Sequence, residues 1–237
     1  MSESVEHSLP VAQLDEQANL RFYTLKDAMA LSPRVYEDWV YSKTTRKVDE
    51  VRIVSSKRLN RILTKCSWWI PFVFWPPVIA YLLWPLNLQK GMALVGGFVL
   101  WFPVEYLFHR FLFHMPVRGK VTQFIHYMLH GIHHVAPHDL DHLVSPPLEL
   151  GVQALAIYGV LRLLHAPYPE CILAGLLIQY LRYDLTHYSV HAFDLDRIKR
   201  MPLVGGFLLK CKRHHMQHHF VNSRAHYTIS YTTRWVD

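Results

Sequence analysis

Four apolar runs set the terms on which this chain of 237 residues can fold: Trp68–Leu86, Met92–Phe108, about Leu148–Leu164 and about Tyr168–Leu185. Each is near the ~20 residues a helix needs to cross a bilayer. Charges inside them are few. The second run holds Glu105 alone, and the third and fourth carry Glu149, Arg162, Glu170 and Arg182 toward their ends. Trp and Tyr stand at the margins, where a membrane–water interface favours them. The core of a soluble protein would explain one such run, but not four. Short links, Asn87–Gly91 and His165–Pro167, join the first run to the second and the third to the fourth, so the expected arrangement is two helical hairpins.

Charge then orients the hairpins. The chain carries a formal +7 with 51% hydrophobic residues. Its basic residues fall in the N-terminal arm, in the loop with Arg110, Arg118 and Lys120, and in the tail with Arg197, Lys199, Arg200, Lys210, Lys212 and Arg213. The positive-inside rule places both termini and the middle loop in the cytosol. No basic stripe, zinc-finger spacing or aromatic RNA-binding motif occurs, so nucleic acid is not an expected partner. Residues 1–34 are polar and lack the apolar core of a signal peptide. Within them an amphipathic helix is expected around Leu20–Leu31, stopped by Ser32-Pro33. Lys57, Arg58, Arg61 and Lys65 close the arm, as a solvated face or a lipid-headgroup anchor. The expected division is a cytosolic arm over 1–67 and a membrane-embedded domain over 68–237. Cys66, Cys171 and Cys211 form no C-x-x-C pair and are expected to be reduced and packed as small hydrophobes.

Seventeen histidines, against 18 Asp plus Glu, need a separate explanation. They cluster: His109-Arg-Phe-Leu-Phe-His114 leaves the second run, His130-x-x-His133-His134 lies in the middle loop, His187-x-x-x-His191 follows the fourth run, and His214-His215-x-x-His218-His219 lies in the tail. Spacings of three and four bring imidazoles to one face of a helix, which lets the helix offer two ligands to a metal. His126, His130, His133 and His134 share such a face by this rule. One ion cannot use ten imidazoles, so two adjacent ions with about five ligands each are expected. Imidazole-rich ligation suits Fe, Zn, Cu or Ni. Every cluster falls on the cytosolic side of the expected topology.

Other residues support the clusters. Glu105 is one helical turn before His109 and Asp184 is three residues before His187, where a carboxylate can accept the far N–H of a ligating ring; the alternatives are an interfacial acid facing headgroups or cytosol for Glu105 and helix-end solvation for Asp184. His126 is expected behind the ligands. His138, Asp139 and His142, in a proline-flanked loop, are candidates to face substrate or solvent. His214 is held in reserve, and His7, His165 and His226 need no special role.

Glu105-Tyr-Leu-Phe-His109-Arg-Phe-Leu-Phe-His114, His130-Gly-Ile-His133-His134, Tyr183-Asp184-Leu-Thr-His187-Tyr-Ser-Val-His191 and His215-Met-Gln-His218-His219 together resemble the motif set of the fatty acid hydroxylase superfamily. H-R-F-L-F-H with Y-D-x-T-H is most similar to the fatty acid 2-hydroxylases, which act on the acyl chains of sphingolipids. The likeness spans roughly residues 35–237, through Trp68-Trp69-Ile-Pro and Leu143-Val-Ser-Pro146-Pro147. It implies an all-α integral membrane protein in which four transmembrane helices carry a cytosolic helical cap. The cap's dimetal site would be held by His109, His114, His130, His133, His134, His187, His191, His215, His218 and His219. His214 stands where the family usually has another residue. The metals implied are iron in the active enzyme, with zinc compatible as purified. The activity implied is O2-dependent hydroxylation of the acyl C2 position, in the endoplasmic reticulum if the source is eukaryotic. Such a C–H bond is beyond side-chain acid–base chemistry and calls for a redox metal.

The chain also departs from the family. Relatives often carry a fused cytochrome b5 domain with a His-Pro-Gly-Gly motif that these 237 residues lack, so a separate cytochrome b5 or reductase is the expected electron donor. Ala225-His226-Tyr227 replaces a Gly-Phe-Gly-like segment with a different spacing to Trp235, and His142 stands where Arg is common. These departures bear on substrate choice more than on the metals. The alternative within the superfamily is a sterol desaturase or methyl oxidase. A metal transporter would need ionisable ligands at mid-depth in its helices. A membrane b-type cytochrome would face paired axial histidines inside the bundle. The clusters lie instead at or beyond the ends of the runs.

Overall fold

The computed structural model describes residues 22–42, 50–54 and 56–229. His7, Leu20 and the comparison with Trp235 lie outside the described residues. The arm contains β1 (Phe22–Thr24), α1 (Leu25–Ala30), α2 (Pro33–Val40), β2 (Glu50–Arg52) and α3 (Lys57–Thr64). The two strands pair in parallel, Tyr23 opposite Val51, so among the described residues the expectation of an all-helical chain holds except for this small ribbon. The expected helix around Leu20–Leu31 starts only at Leu25. Thr24 caps it, its hydroxyl accepting from the Asp27 N–H while the Asp27 carboxylate accepts from the Thr24 N–H, a reciprocal pair that fixes the first turn. Ser32 caps α2 more simply, its hydroxyl accepting from the Val35 N–H, with Pro33 at the first helical position.

The apolar runs form α4 (Ile70–Leu83), α5 (Leu88–Leu107), α7 (Pro147–Leu163) and α8 (Pro169–Ala192). Between the pairs, α6 (Lys120–His126) continues through a π-helical stretch, Tyr127–Gly131, into Ile132–Val135. The short α9 (Leu195–Lys199) and the longer α10 (Gly205–Phe220) follow α8. Two segments, Leu88–Phe113 and Leu140–Leu163, are long and apolar enough to cross a membrane. Only 17% and 22% of their apolar windows are buried within the protein, so most of their apolar side chains lie on the surface, the pattern of helices that face lipid. The first run is different from its expected length. Its helix has 14 residues, about 21 Å, against a hydrocarbon core of about 30 Å. Trp84, in extended conformation, ends it.

Helix α8 is the axis of the bundle, with most of its side chains buried. It meets α5 backbone to backbone. A Cβ on Gly97 would lie 2.0 Å from the Ile172 carbonyl oxygen, and one on Gly175 would lie 2.2 Å from that of Leu94. Small residues at such a crossing let two helices approach closely in lipid. A core of Trp75, Ile79, Leu150, Ala154, Leu173 and Leu177 ties α4 and α7 to α8. The arm is not a separate layer. Tyr36, Trp39, Val40 and Val51 share one core with Val117, Tyr127, Ile132 and Val135 of the cap. All three cysteines are buried, and none is in a disulfide.

Candidate metal centre

His109 and His114 are five residues apart, which on an α-helix would set them about 140° apart around the axis. The chain resolves this by leaving α5 through a π-helical turn, Phe108–Phe113, in which the His114 N–H donates to the His109 carbonyl at 3.0 Å. The wider turn brings both rings to one side. Four chain segments then place ten imidazoles in two groups of five. His109, His114, His130, His134 and His218 form the first, and His133, His187, His191, His215 and His219 form the second. Neighbouring residues His133 and His134 point into different groups, so the cap helix serves both.

Within each group the ring nitrogens converge to within 4.8 Å of one another. Nε2–Nε2 distances are 2.9 Å for His109–His130, 3.2 Å for His114–His134 and 3.0 Å for His114–His218. In the second group they are 3.0 Å for His133–His187, 2.9 Å for His191–His215 and 2.9 Å for His215–His219. His215 Nε2 lies within 3.1 Å of three other Nε2 atoms, and a single proton cannot satisfy that many lone pairs. Two nitrogens each ~2.1 Å from one ion at right angles are ~3.0 Å apart, so the donor set fits a first-row metal in each group. Burial, and then the neighbouring rings, push His130, His133, His134, His215 and His219 well below the usual histidine range, keeping them neutral at pH 7. The neutral ring is the metal-binding form.

The far ring nitrogens of the first group have partners that no spacing rule reveals. His109 Nδ1 hydrogen-bonds the Tyr227 carbonyl, and His218 Nδ1 the Ala225 carbonyl at 2.8 Å. His114 Nδ1 lies 3.0 Å from the Tyr41 hydroxyl. That hydroxyl also lies 2.6 Å from His126 Nε2, and His126 Nδ1 is 2.8 Å from the Tyr36 hydroxyl. His126 thus stands behind His114 with Tyr41 between them.

The carboxylates differ from expectation. Glu105 accepts from Trp101 Nε1 and from the Ile229 backbone N–H, both at 2.8 Å, and so reaches the metal group through the chain segment that carries the Tyr227 carbonyl. Asp184 is buried beside Tyr180 and Ser145, in the wall of a cavity that His187 also lines. Of the loop candidates, His142 lines that cavity, with Nδ1 2.9 Å from Asp139. Asp139 is turned the other way, toward the Val51 N–H and Lys65, because its carboxylate is the junction between arm and loop. His138 is exposed and does not line the cavity. His214 is buried against His226, with ring centroids 4.7 Å apart, and belongs to neither group.

The cavity, of about 390 Å³, touches both groups through His130, His133 and His187. It runs to Leu148 and Val152, exposed on the outer face of α7. A smaller, almost wholly apolar cavity of about 50 Å³ lies between α5, α7 and α8 and reaches His109. Phe113, Tyr180 and Tyr183 border both.

Comparison with known proteins agrees with this architecture. The family model described as fatty acid hydroxylase matches residues 94–237. The chain is similar to fatty acid 2-hydroxylase of Homo sapiens, 31% identical over 231 residues, covering 84% of this chain and 58% of that protein. It is similar to dihydroceramide fatty acyl 2-hydroxylase of Arabidopsis thaliana, 32% identical, covering 78% of this chain and 77% of the relative. The solved structure of full-length Scs7p, in which only the hydroxylase domain is visible, superposes with a TM-score of 0.75 at 27% identity, over 90% of this chain and 81% of that one. The chain therefore spans less than two thirds of the mammalian relatives it matches, and by the family model over residues 94–237 it belongs to the fatty acid hydroxylase family.

Proposed function

We propose that this protein is a di-iron monooxygenase that hydroxylates C2 of long-chain fatty acyl groups in sphingolipids. The observation that carries the reading is the pair of five-histidine groups set back to back against one cavity that opens toward the lipid-facing side of α7. The names of the relatives, fatty acid 2-hydroxylase and dihydroceramide fatty acyl 2-hydroxylase, supply the position and the class of substrate. The ligands are His109, His114, His130, His134 and His218 for one ion, and His133, His187, His191, His215 and His219 for the other. When bound, the metals supply the redox chemistry that breaking an unactivated C–H bond needs and that no side chain offers.

The chain's own part is positioning and exclusion of water. Ile132, Leu143, Val144, Leu148 and Val152 give the cavity its apolar wall, suited to an acyl chain arriving from the bilayer. Thr64, Ser145 and His142 are polar groups on the same cavity, suited to the amide and hydroxyls of a ceramide head. His142 is oriented by its 2.9 Å contact to Asp139. The carbonyls of Ala225 and Tyr227 hold Nδ1 protonated on His218 and His109, leaving each Nε2 lone pair for the metal.

We place four helices, α4, α5, α7 and α8, in the membrane, with residues 68–237 as the embedded domain and 1–67 as a cytosolic arm whose described residues, through Tyr36, Trp39, Val40 and Val51, pack on the cap. The short α4 enters as a locally thinned span. Termini and histidine groups face the cytosol, at the endoplasmic reticulum in a eukaryote. Electrons come from a separate cytochrome b5 or reductase, whose acidic surface suits the basic tail of Arg197, Lys199, Arg200, Lys210 and Arg213. The test is reconstitution of iron-loaded protein with ceramide and a b5-type donor, followed by mass spectrometry of the hydrolysed acyl chains. Product hydroxylated at C2 is expected. Turnover of a sterol with no acyl product would move the protein to the sterol branch and refute the reading.

A further inference from the structure

The two histidine groups are not supported alike. In the first, His109 and His218 each give Nδ1 to a backbone carbonyl, of Tyr227 and Ala225. In the second, Nδ1 of His133 and of His215 is buried without a hydrogen-bond partner among the described residues. Both carbonyls belong to one short strap, residues 225–229, that passes over the first group only. His226, between the two carbonyls, holds φ at 60°, a conformation uncommon for a residue with a side chain. The strap is buried at its far end, where Thr228 and Ile229 are 0% and 1% exposed, and Ile229 packs with Trp101, Leu176 and Tyr183.

What holds that end is a carboxylate. Glu105, 4% exposed, accepts from the Ile229 N–H and from Trp101 Nε1, both at 2.8 Å. Burying a carboxylate in an apolar bundle is costly unless it is hydrogen-bonded, and an apolar residue would pack the same space at less cost. What the carboxylate does here is fix a backbone N–H two residues beyond the carbonyl that orients His109. Sequence spacing points Glu105 at His109 directly. The geometry routes it through the strap instead.

We propose that Glu105 is a positioning residue for one of the two metals: through the Ile229 N–H it anchors the 225–229 strap, whose carbonyls set the ring orientation and tautomer of His109 and His218. The second metal is independent of it. This rests on the ligand assignment of the proposed function. Partners of ligating histidines are worth ~10–100-fold in metal affinity, so loss of the anchor should show as a loss of that order at one site.

The experiment uses the full chain in detergent, loaded with zinc, with metal content from mass spectrometry and release timed against a chelator. Wild type is expected to hold two ions. Glu105→Ala is expected to release one of them ~10–100-fold faster and the other at the wild-type rate. Glu105→Gln has one oxygen for two donors, the Trp101 and Ile229 N–H groups, so in either amide orientation one N–H faces another, and taking the oxygen to Trp101 releases the strap as Glu105→Ala does. Adding Trp101→Phe removes that clash and lets the amide oxygen accept from Ile229, so the double variant should regain retention. A purely packing role predicts that the second substitution makes matters worse. If Glu105→Ala does not fold, the Gln variant with and without Trp101→Phe decides alone. Release of both ions at wild-type rates, equal acceleration of both, or no rescue overturns the proposal. A folded wild type that holds fewer than two ions overturns the ligand assignment beneath it.

Discussion

Replacing Tyr41 with Phe removes one oxygen atom from the middle of a four-residue chain of hydrogen bonds. When His114 binds metal through Nε2, its Nδ1 carries the proton and donates to the Tyr41 oxygen, 3.0 Å away. The Tyr41 O–H then donates to His126 Nε2 at 2.6 Å, and His126 Nδ1–H donates to the Tyr36 oxygen at 2.8 Å. Each donor has one acceptor and the direction is consistent throughout, so the chain reports the tautomer of His114 back into the arm. Tyr41→Phe leaves His126 Nε2 as a buried acceptor with nothing to accept, which costs about 1–3 kcal/mol of stability. It also frees the far nitrogen of a ligand, which lowers metal affinity ~10–100-fold, or about 1.4–2.7 kcal/mol. Tyr36→Phe breaks the far link only. It should cost a similar amount of stability but leave the His114–Tyr41 contact and the metal intact. Urea unfolding of the metal-free protein and chelator competition of the loaded protein separate the two quantities. Equal metal loss in both variants, or wild-type affinity in Tyr41→Phe, would refute the relay.

Three further outcomes are expected. His134→Ala and His133→Ala should each remove one ion and abolish acyl hydroxylation while far-UV circular dichroism shows the helices intact; metal analysis giving two ions in either variant would contradict the division of the groups. Gly175→Ala places a methyl 2.2 Å from the Leu94 carbonyl and should lower stability in detergent by about 1–3 kcal/mol, whereas Gly159→Ala, with open space around it, should not; equal melting temperatures would contradict the crossing. Burial lowers the His126 pKa from 6.5 to about 4, so its neutral form is favoured in the folded state and its contribution is complete above pH 6.5. As pH falls from 6.5 toward 4 the unfolded chain takes up the proton and the folded one does not, a loss of roughly 3 kcal/mol from this ring. Denaturation of metal-free protein at pH 7.5 and pH 5 should show about 2 kcal/mol of that loss, absent in His126→Gln.

The histidine clusters are legible because imidazole is rare in apolar sequence and its spacing marks a helical face. Their division into two fives is not. His109 and His114 share a side only through a π-helical turn, and helical periodicity of 3.6 residues places them apart. The contacts behind the ligands are harder still. Carbonyls of Ala225 and Tyr227 belong to the backbone, which carries no residue-specific signal, and Tyr41 reaches His114 across 73 positions of chain. The apolar runs are visible, but their composition overstates α4, because Trp68, Trp69 and Trp84–Leu86 are apolar without being helical. Glu105 is visible as an acid one helical turn before His109. Its partner, the Ile229 N–H, is not, since it is contributed by fold alone and lies 124 residues away.

The two groups also divide α5 and α8 between them. The first takes His109 and His114 from the end of α5, and the second takes His187 and His191 from α8, while the cap helix and α10 give ligands to both. Helices α5 and α8 are pinned to each other at Gly97 and Gly175, each twelve residues before the first ligand of its helix, or about 18 Å along the axis. The separation of the two sites is therefore set at two levels. The glycine crossing fixes the helices that bring the membrane-side ligands, and the adjacent pair His133 and His134 fixes the groups across one peptide bond. A change at the crossing acts on both ions at once through their spacing, whereas a change in the 225–229 strap acts on one. That contrast separates Gly175→Ala from Glu105→Ala even though both sites lie on the same two packed helices.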